Sequence, residues 1–433
     1  MNKKCLFFIL LCIPSLLFAR VSTSELQCKL QDLCCCVSTL CNTVDTLGDR
    51  VAILEIEVAI LNEVTGEIIR VCPETGTYTI SEPGLYKLSR DITCCIVIDA
   101  NNVELDLNSH TITGLTCDSV IQITDTRQNI EIKNGNLIGN GTNSGITTGT
   151  NSANIVIHDV NLSLFGPNGT PDRAGIFFTT GTNNSRIYDC LVRTSSRCIE
   201  LQDSNNNIIE NCIARDFTAY GIFIGGDNNL VNSCTVGPCN PERPLVAGIW
   251  VDAGDKNTIF NCYVKEIADL QAWFMGIAAI NATNTTIDQC VVHDLSTTVA
   301  GVQVYGITIA GEGGRATHNH VFNLTANIAN SVAAGIHAKF HSDTNVISHN
   351  TVHDIYGGNS TAGENAGIDC RGASNKTIVG NRVFNVVSTG DLGNTGGINW
   401  NANTLYGNSS FAITPARQYI PGPTRGGAQE NWD

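Results

Sequence analysis

The stretch Gly248-Ile249-Trp250-Val251, followed by Asn257-Thr258-Ile259-Phe260-Asn261-Cys262-Tyr263-Val264, decides the fold. Both halves alternate inward apolar and outward residues at period two, the signature of strands. Both recur along the chain. The first half returns as an Ile at Ile146, Ile176, Ile199, Ile222, Ile249, Ile277, Ile307, Ile336, Ile368 and Ile398. Gly precedes each of them except Ile199, which follows Cys198. The second half reads Asn-x-(x)-Ile-x-[Asn/Asp]-Cys-x-Val. Aligned on its Val, one position runs through Gly135, Val160, Cys190, Cys212, Cys234, Cys262, Cys290, Asn319, Asn350 and Asn381. The repeat length, about 22 to 32 residues, is that of a solenoid. Each repeat is then one coil, with successive coils about 4.8 Å apart through parallel strand pairing.

The composition agrees. The chain has 433 residues, 42% hydrophobic but only 6% aromatic and 15% charged, with 41 Gly, 46 Asn and 19 Cys. That apolar share excludes a disordered chain. Asn and Gly supply many turns, and the cysteines are small core residues. Five of them hold one inward position in successive coils, which predicts a file of packed thiols rather than a zinc site, whose ligands converge on a point. The Asn residues that continue the file can stack amide on amide and satisfy one another. The net charge of −15 argues against nucleic acid as a partner.

Ahead of the repeats, Lys3 and Lys4 precede the apolar run from Cys5 to Leu17 and the small Ala19, which predicts a secretory signal over 1–19 and no membrane span in the mature chain. Leu26, Leu33, Leu40, Leu47, Leu54 and Leu61 follow at heptad spacing, with Leu30, Val37, Val44, Val51 and Val58 between them. This predicts a coiled-coil helix within 22–66, about 54 Å long over 26–61. Such a seam calls for partner helices, so a homo-oligomer through 26–61 is expected. A single helix lying on the chain's own body is the alternative, and Ile53, Ile56 and Ile60 keep it open. Cys34, Cys35, Cys36 and Cys41 flank the seam.

The repeat resembles the right-handed parallel β-helix family, the architecture of pectate lyases, polygalacturonases and periplasmic copper-maturation proteins. Thr77 to Leu88, with Ser81-Glu82-Pro83-Gly84, then Asn102 to Asn108 and His110-Thr111-Ile112, look like its entry coils. The expected organisation is all-β: a β-helix of about twelve coils over 72–400, carrying an N-terminal coiled-coil segment and followed by a tail over 401–433.

In the enzymes of that family the substrate groove lies along one sheet face. The residue after each repeat Ile maps that face here: Phe177, Glu200, Phe223, Trp250, Ala278, Thr308, His337, Asp369 and Asn399. Two residues further on, Gln202, Asp252, Lys339, Arg371 and Asn401 also face out. Phe177, Phe223 and Trp250, with Glu200 among them, form a candidate ligand stripe, since aromatic faces stack on sugar rings. The alternative is that a loop near Trp273 and Phe274 covers them. His337, Lys339, Asp369 and Arg371 form a candidate catalytic cluster, in which Lys339 or Arg371 would be the base and Asp369 would hold a cation such as calcium against a uronate. The plain alternative is a solvated ion-pair ladder. Arg215-Asp216, Lys265-Glu266, His293-Asp294 and His353-Asp354 form a second outward strip of neighbouring opposite charges.

Absences narrow the function. The Asn-Thr-Asp, Asp-Asp, Gly-His-Gly and Arg-Ile-Lys motifs of polygalacturonases do not occur, nor does the Asp-Pro-His-Asp run of alginate epimerases. Inverting hydrolysis needs two carboxylates about a water. The sequence therefore reads first as a secreted, periplasmic or cell-surface protein, structural or adhesive, that binds a polysaccharide or a surface protein and needs no cofactor. The alternative is a polysaccharide-active enzyme, lyase rather than hydrolase.

Overall fold

The computed structural model describes residues 67–69, 76–114, 116–166, 173–239, 245–269, 273–326, 328–338, 344–358, 365–371, 375–388, 395–400, 404–414 and 419–420. All of them belong to one unit, Gly66–Asp433. The signal segment 1–19 and the heptad segment 22–66 lie outside the described residues, as do Lys339 and Asn401. Among the described residues there are strands and no helix, so none is long and apolar enough to cross a membrane.

Every strand pairing is parallel and joins one coil to the next. The coil has three faces. The first carries the Gly-Ile segments, for example Leu245–Asp252, Trp273–Ile280, Gln303–Ala310, Val332–His337 and Asn365–Cys370. Its register is fixed by one unbroken file of isoleucines, Ile96, Ile121, Ile146, Ile176, Ile199, Ile222, Ile249, Ile277, Ile307, Ile336, Ile368 and Ile398. All are buried in a core that runs the length of the described solenoid. Short strands such as Thr258–Phe260 and Thr286–Asp288 make the second face. Strands such as Tyr263–Asp269, Val291–Thr297 and His320–Ala326 make the third.

The corner between the second and third faces explains two sequence patterns together. The residue before each ladder position has a positive φ, near +50° to +65°, in eleven coils from Asn134 and Asp159 through Asn211, Asn261, His318 and His349 to Gly407. Asn and Asp tolerate this left-handed conformation better than other side chains. The next residue turns inward. Cys190, Cys212, Cys234, Cys262 and Cys290 are buried thiols there. Their carbonyls accept hydrogen bonds from the next coil, as in Ile213 N to Cys190 O at 2.9 Å. From Asn319 onward amides take over: Asn319 Nδ2 donates to Asn350 Oδ1, Asn350 Nδ2 to Asn381 Oδ1 and Asn381 Nδ2 to Asn408 Oδ1, at 2.9–3.0 Å. The expected thiol file and amide stack are both present. A second buried amide file, Asn207, Asn229 and Asn257, stands at another corner, where the sequence suggested only turn residues.

The Gly before each Ile is a packing requirement. A Cβ on Gly306 would lie 2.3 Å from Val321 Cγ1 and 2.5 Å from the carbonyl oxygen of Gly335. The same two obstacles recur at Gly221, Gly248, Gly276, Gly335 and Gly367.

Two expectations need correction. The pairing does not stop at 400: Thr404–Tyr406, Ser409–Thr414 and Tyr419–Ile420 continue the three faces within the segment expected to be a tail. At the other end Glu67–Ile69 already pairs with Gly84–Leu88, ahead of the expected start at 72. In the entry coils Cys95 and Cys117 form a disulfide.

Candidate functional site

The first face is where the candidate residues meet. At the Gly-Ile steps both residues point into the core, which interrupts the alternation of the strand. The residues two before and one after the Ile then lie outside, on either side of that step. Tyr220 and Phe223 show this: their ring centroids are 5.5 Å apart, and Tyr220 is also 5.5 Å from Trp250 on the next coil. Along this outer side Ala247, Trp250, Met275, Ala278, Tyr305, Val332 and Ala334 make a second apolar cluster, separate from the core.

The face is therefore outward but not open. Trp250 is 7% exposed, Glu200 and Asp369 3% and His337 5%, while Phe177 and Phe223 are half-buried. Of the two aromatics named in the covering alternative, Phe274 is in the core and Trp273 is half exposed. Glu200 pairs with Arg197, whose guanidinium lies 5.7 Å from the Tyr220 ring centroid and 5.4 Å from that of Phe223. In register, Glu200, Phe223 and Trp250 are direct neighbours on successive coils. Phe223 and Trp250 both pack on Tyr220, and Glu200 stands in register between Phe177 and Phe223.

Further along the same face, His337 is the register partner of both Thr308 and Asp369, and Asp369 that of Asn399. Arg371 grips Asp369 in a fork, Nε to Oδ1 and Nη2 to Oδ2, each 2.8 Å. This is a desolvated bidentate pair, not the solvated ladder that is the plain alternative. The sequence reading missed Tyr305. Its ring stacks on His337 at 4.2 Å between centroids and 4° between planes, and its hydroxyl donates to Gln303 Oε1 at 2.7 Å. Burial, helped by the Asp369 charge, pushes the Tyr305 phenol well above its ordinary value, so it keeps its proton at neutral pH. Burial also pushes Arg371 down to about 10, which leaves it a cation. Four polar groups thus share one buried patch on consecutive coils, three of them foreseen. The signal for the fourth was available: the position two before each Ile reads Tyr220, Ala247, Met275, Tyr305, an apolar column that an alternating strand would have put on the same side as the residue after the Gly.

The second strip behaves as expected. Lys265 meets Glu266 at 3.0 Å, His293 Nδ1 meets Asp294 at 2.8 Å and His353 Nδ1 meets Asp354 at 2.7 Å. Its rings form a stacked file, His293 on Phe322, Phe322 on His353, His353 on Phe384 and Phe384 on Phe411, with centroids 4.6–5.2 Å apart. Stacking uses the ring faces and leaves edges, so this file cannot serve as a sugar platform. Among the described residues no group of three or more His, Cys, Asp or Glu side chains converges to hold a metal ion, calcium included.

The fold and its site define a class: a right-handed parallel β-helix with a buried polar cluster on one outer face. Residues 174–352 match the family model of the right handed beta helix region. Among solved structures the chain is similar to the A-module of the mannuronan C-5 epimerase AlgE6 of Azotobacter vinelandii, at 13% identity and a TM-score of 0.53, covering 76% of this chain and 91% of that one. It is also similar to the AlgE4 A-module of the same organism, at 12% identity and a TM-score of 0.50 with the same coverage. A surface adhesin of Streptococcus pneumoniae, PfbA, follows at 13% identity and a TM-score of 0.45, covering 72% and 82%. At these identities the likeness is one of fold. No curated protein matches the chain.

Proposed function

We propose that this is an exported, polysaccharide-active β-helix protein that acts on a uronate-containing glycan at the Tyr305–His337–Asp369–Arg371 patch. The observation that carries the reading is the placement of a buried, stacked Tyr–His pair beside a bidentate pair of the buried Asp369 with the partly buried Arg371, on the outside of the sheet. The solenoid core needs none of these side chains, and desolvated titratable clusters outside a core mark functional sites.

The chemistry follows from protonation states. Removal of the proton on C5 of a uronate becomes feasible when its carboxylate charge is balanced, and Arg371, oriented by Asp369, is the cation at hand. His337 is the base that receives the proton. Tyr305, held protonated and stacked on the same side as His337, is the acid: it gives its proton to the departing O4, and the outcome is elimination. No step uses calcium. Because the four groups are nearly buried, a polymer reaches them only when whatever packs over them moves aside, and Phe223 and Trp250 then supply the flanking sugar contacts. The expected export signal and oligomeric stem belong to the same reading.

The test is a panel of polyuronates incubated with the full chain in deuterium oxide. NMR reads deuterium at C5, and ultraviolet absorbance reads unsaturated products. Tyr305→Phe and His337→Gln should each lower the rate about 10²- to 10⁴-fold. Rates unchanged in both variants, or neither exchange nor product across the panel, would sink the enzymatic reading. Glycan retention without exchange, abolished by Trp250→Ala, would establish adhesion in its place.

A further inference from the structure

The third face carries a pair of imidazoles that the first-face site does not use. His320 opens one strand, and His353 is the third residue of the strand on the next coil. They sit diagonally across the pairing, and their Nε2 atoms meet at 2.8 Å.

We propose that His320 and His353 bind one nitrogen-preferring transition-metal ion, of the nickel or zinc class, through their two Nε2 atoms. Bonds of about 2.0–2.1 Å from such an ion place two adjacent nitrogens roughly 2.9 to 3.4 Å apart, so the pair opens by a few tenths of an ångström while the two rings, which meet nearly head-on with centroids 5.0 Å apart, tilt so that both lone pairs converge on the ion.

His353 is pre-oriented as a ligand. Its Nδ1 lies 2.7 Å from Asp354 Oδ2, and Asn385 holds the other oxygen of that carboxylate. The Asp354 carboxylate accepts the Nδ1–H of His353, which turns the Nε2 lone pair toward His320. A carboxylate behind the imidazole is the arrangement that raises ligand basicity at metal centres. Phe322 and Phe384 fix the ring plane from both sides, at 5.2 and 4.6 Å. His320 lies 4.6 Å from the Phe322 ring. Without metal, His320 donates its Nε2 proton to His353. With metal it moves to the Nδ1–H tautomer, so binding leaves the count of imidazole protons unchanged. Water completes the coordination. The ion thus takes the place of a hydrogen-bonded proton between two coils.

Calorimetric titration of the full chain with nickel chloride tests this; nickel is preferred because the thiols elsewhere in the chain favour zinc. One equivalent should bind at pH 7.5. His320→Gln and His353→Gln should each remove that equivalent with circular dichroism unchanged. Asp354→Asn should weaken it about 10- to 100-fold. His318→Gln, at the stacked but non-converging His318–His349 pair, should leave it intact. Equal binding by wild type and both His320→Gln and His353→Gln would overturn the proposal. So would a folded wild type that binds no nickel at millimolar concentration.

Discussion

Replacing Asn350 by Ala tests how the amide file holds the C-terminal coils. The Asn350 side chain makes four hydrogen bonds while 1% exposed. Its Oδ1 accepts from Asn319 N at 2.9 Å and Asn319 Nδ2 at 3.0 Å, and its Nδ2 donates to Ala316 O and Asn381 Oδ1, both at 2.9 Å. The losses are unequal. Asn319 Nδ2 keeps Ile287 O, and Asn381 Oδ1 keeps the Asn350 N–H. The Asn319 backbone N–H keeps nothing among its side-chain acceptors. One orphaned buried donor costs about 1–3 kcal/mol and three lost but replaceable bonds about 0.5–1.5 each, so Asn350→Ala should cost roughly 2.5–7.5 kcal/mol. Cys234→Ala removes one small buried group from the same file and should cost about 1–2 kcal/mol, in the range of other small core truncations. Two assays separate the cases. Urea denaturation compares the midpoints. Hydrogen exchange by mass spectrometry, on a peptide spanning Asn319, should show faster exchange in Asn350→Ala and no change there in Cys234→Ala. If Cys234→Ala costs as much as Asn350→Ala, or if exchange at Asn319 is unaltered, the account of the amide file is wrong.

Two further tests address the packing. Gly306→Ala should cost about 3 kcal/mol or more, beyond ordinary overpacking, because one of its two obstacles is the backbone carbonyl of Gly335, which cannot rotate away; a melting temperature within a degree of wild type would contradict this. The Cys198 thiol is buried and pushed well above its ordinary value by that burial. It should resist alkylation by iodoacetamide at pH 8 and react once urea unfolds the chain, as peptide mass mapping would reveal.

The sequence reveals the coil because inward positions admit few side chains. One shape fits above and below each repeat Ile, and no Cβ fits at Gly306, so both stand out without an alignment. The ladder is legible in the same way, down to the change from Cys290 to Asn319. Tyr305 is less legible, because period-two alternation resets where Gly and Ile both point inward, and a reading that begins at the Ile overlooks the residue two before it. The burial of Trp250 and His337 is invisible for a different reason. A strand pattern records which side a residue takes, whereas burial depends on the packing of neighbouring coils beyond the strand. Strands past residue 400 were missed because Thr404–Tyr406 and Ser409–Thr414 lack the Gly-Ile and Cys markers that identify earlier coils.

The amide file also has a direction. In each of its steps the backbone N–H of one coil donates to the side chain of the following coil: Cys290 to Asn319, Asn319 to Asn350, Asn350 to Asn381 and Asn381 to Asn408, all at 2.9–3.0 Å. A chain that emerges N-terminus first therefore lays down each of these coils with one interior donor still waiting for the next coil to arrive. Each rung settles when the next coil arrives, and the waiting donor passes to the new end until Asn408 accepts the last of them, so a nascent chain halted before that residue keeps an unfinished end however much of the solenoid is already wound.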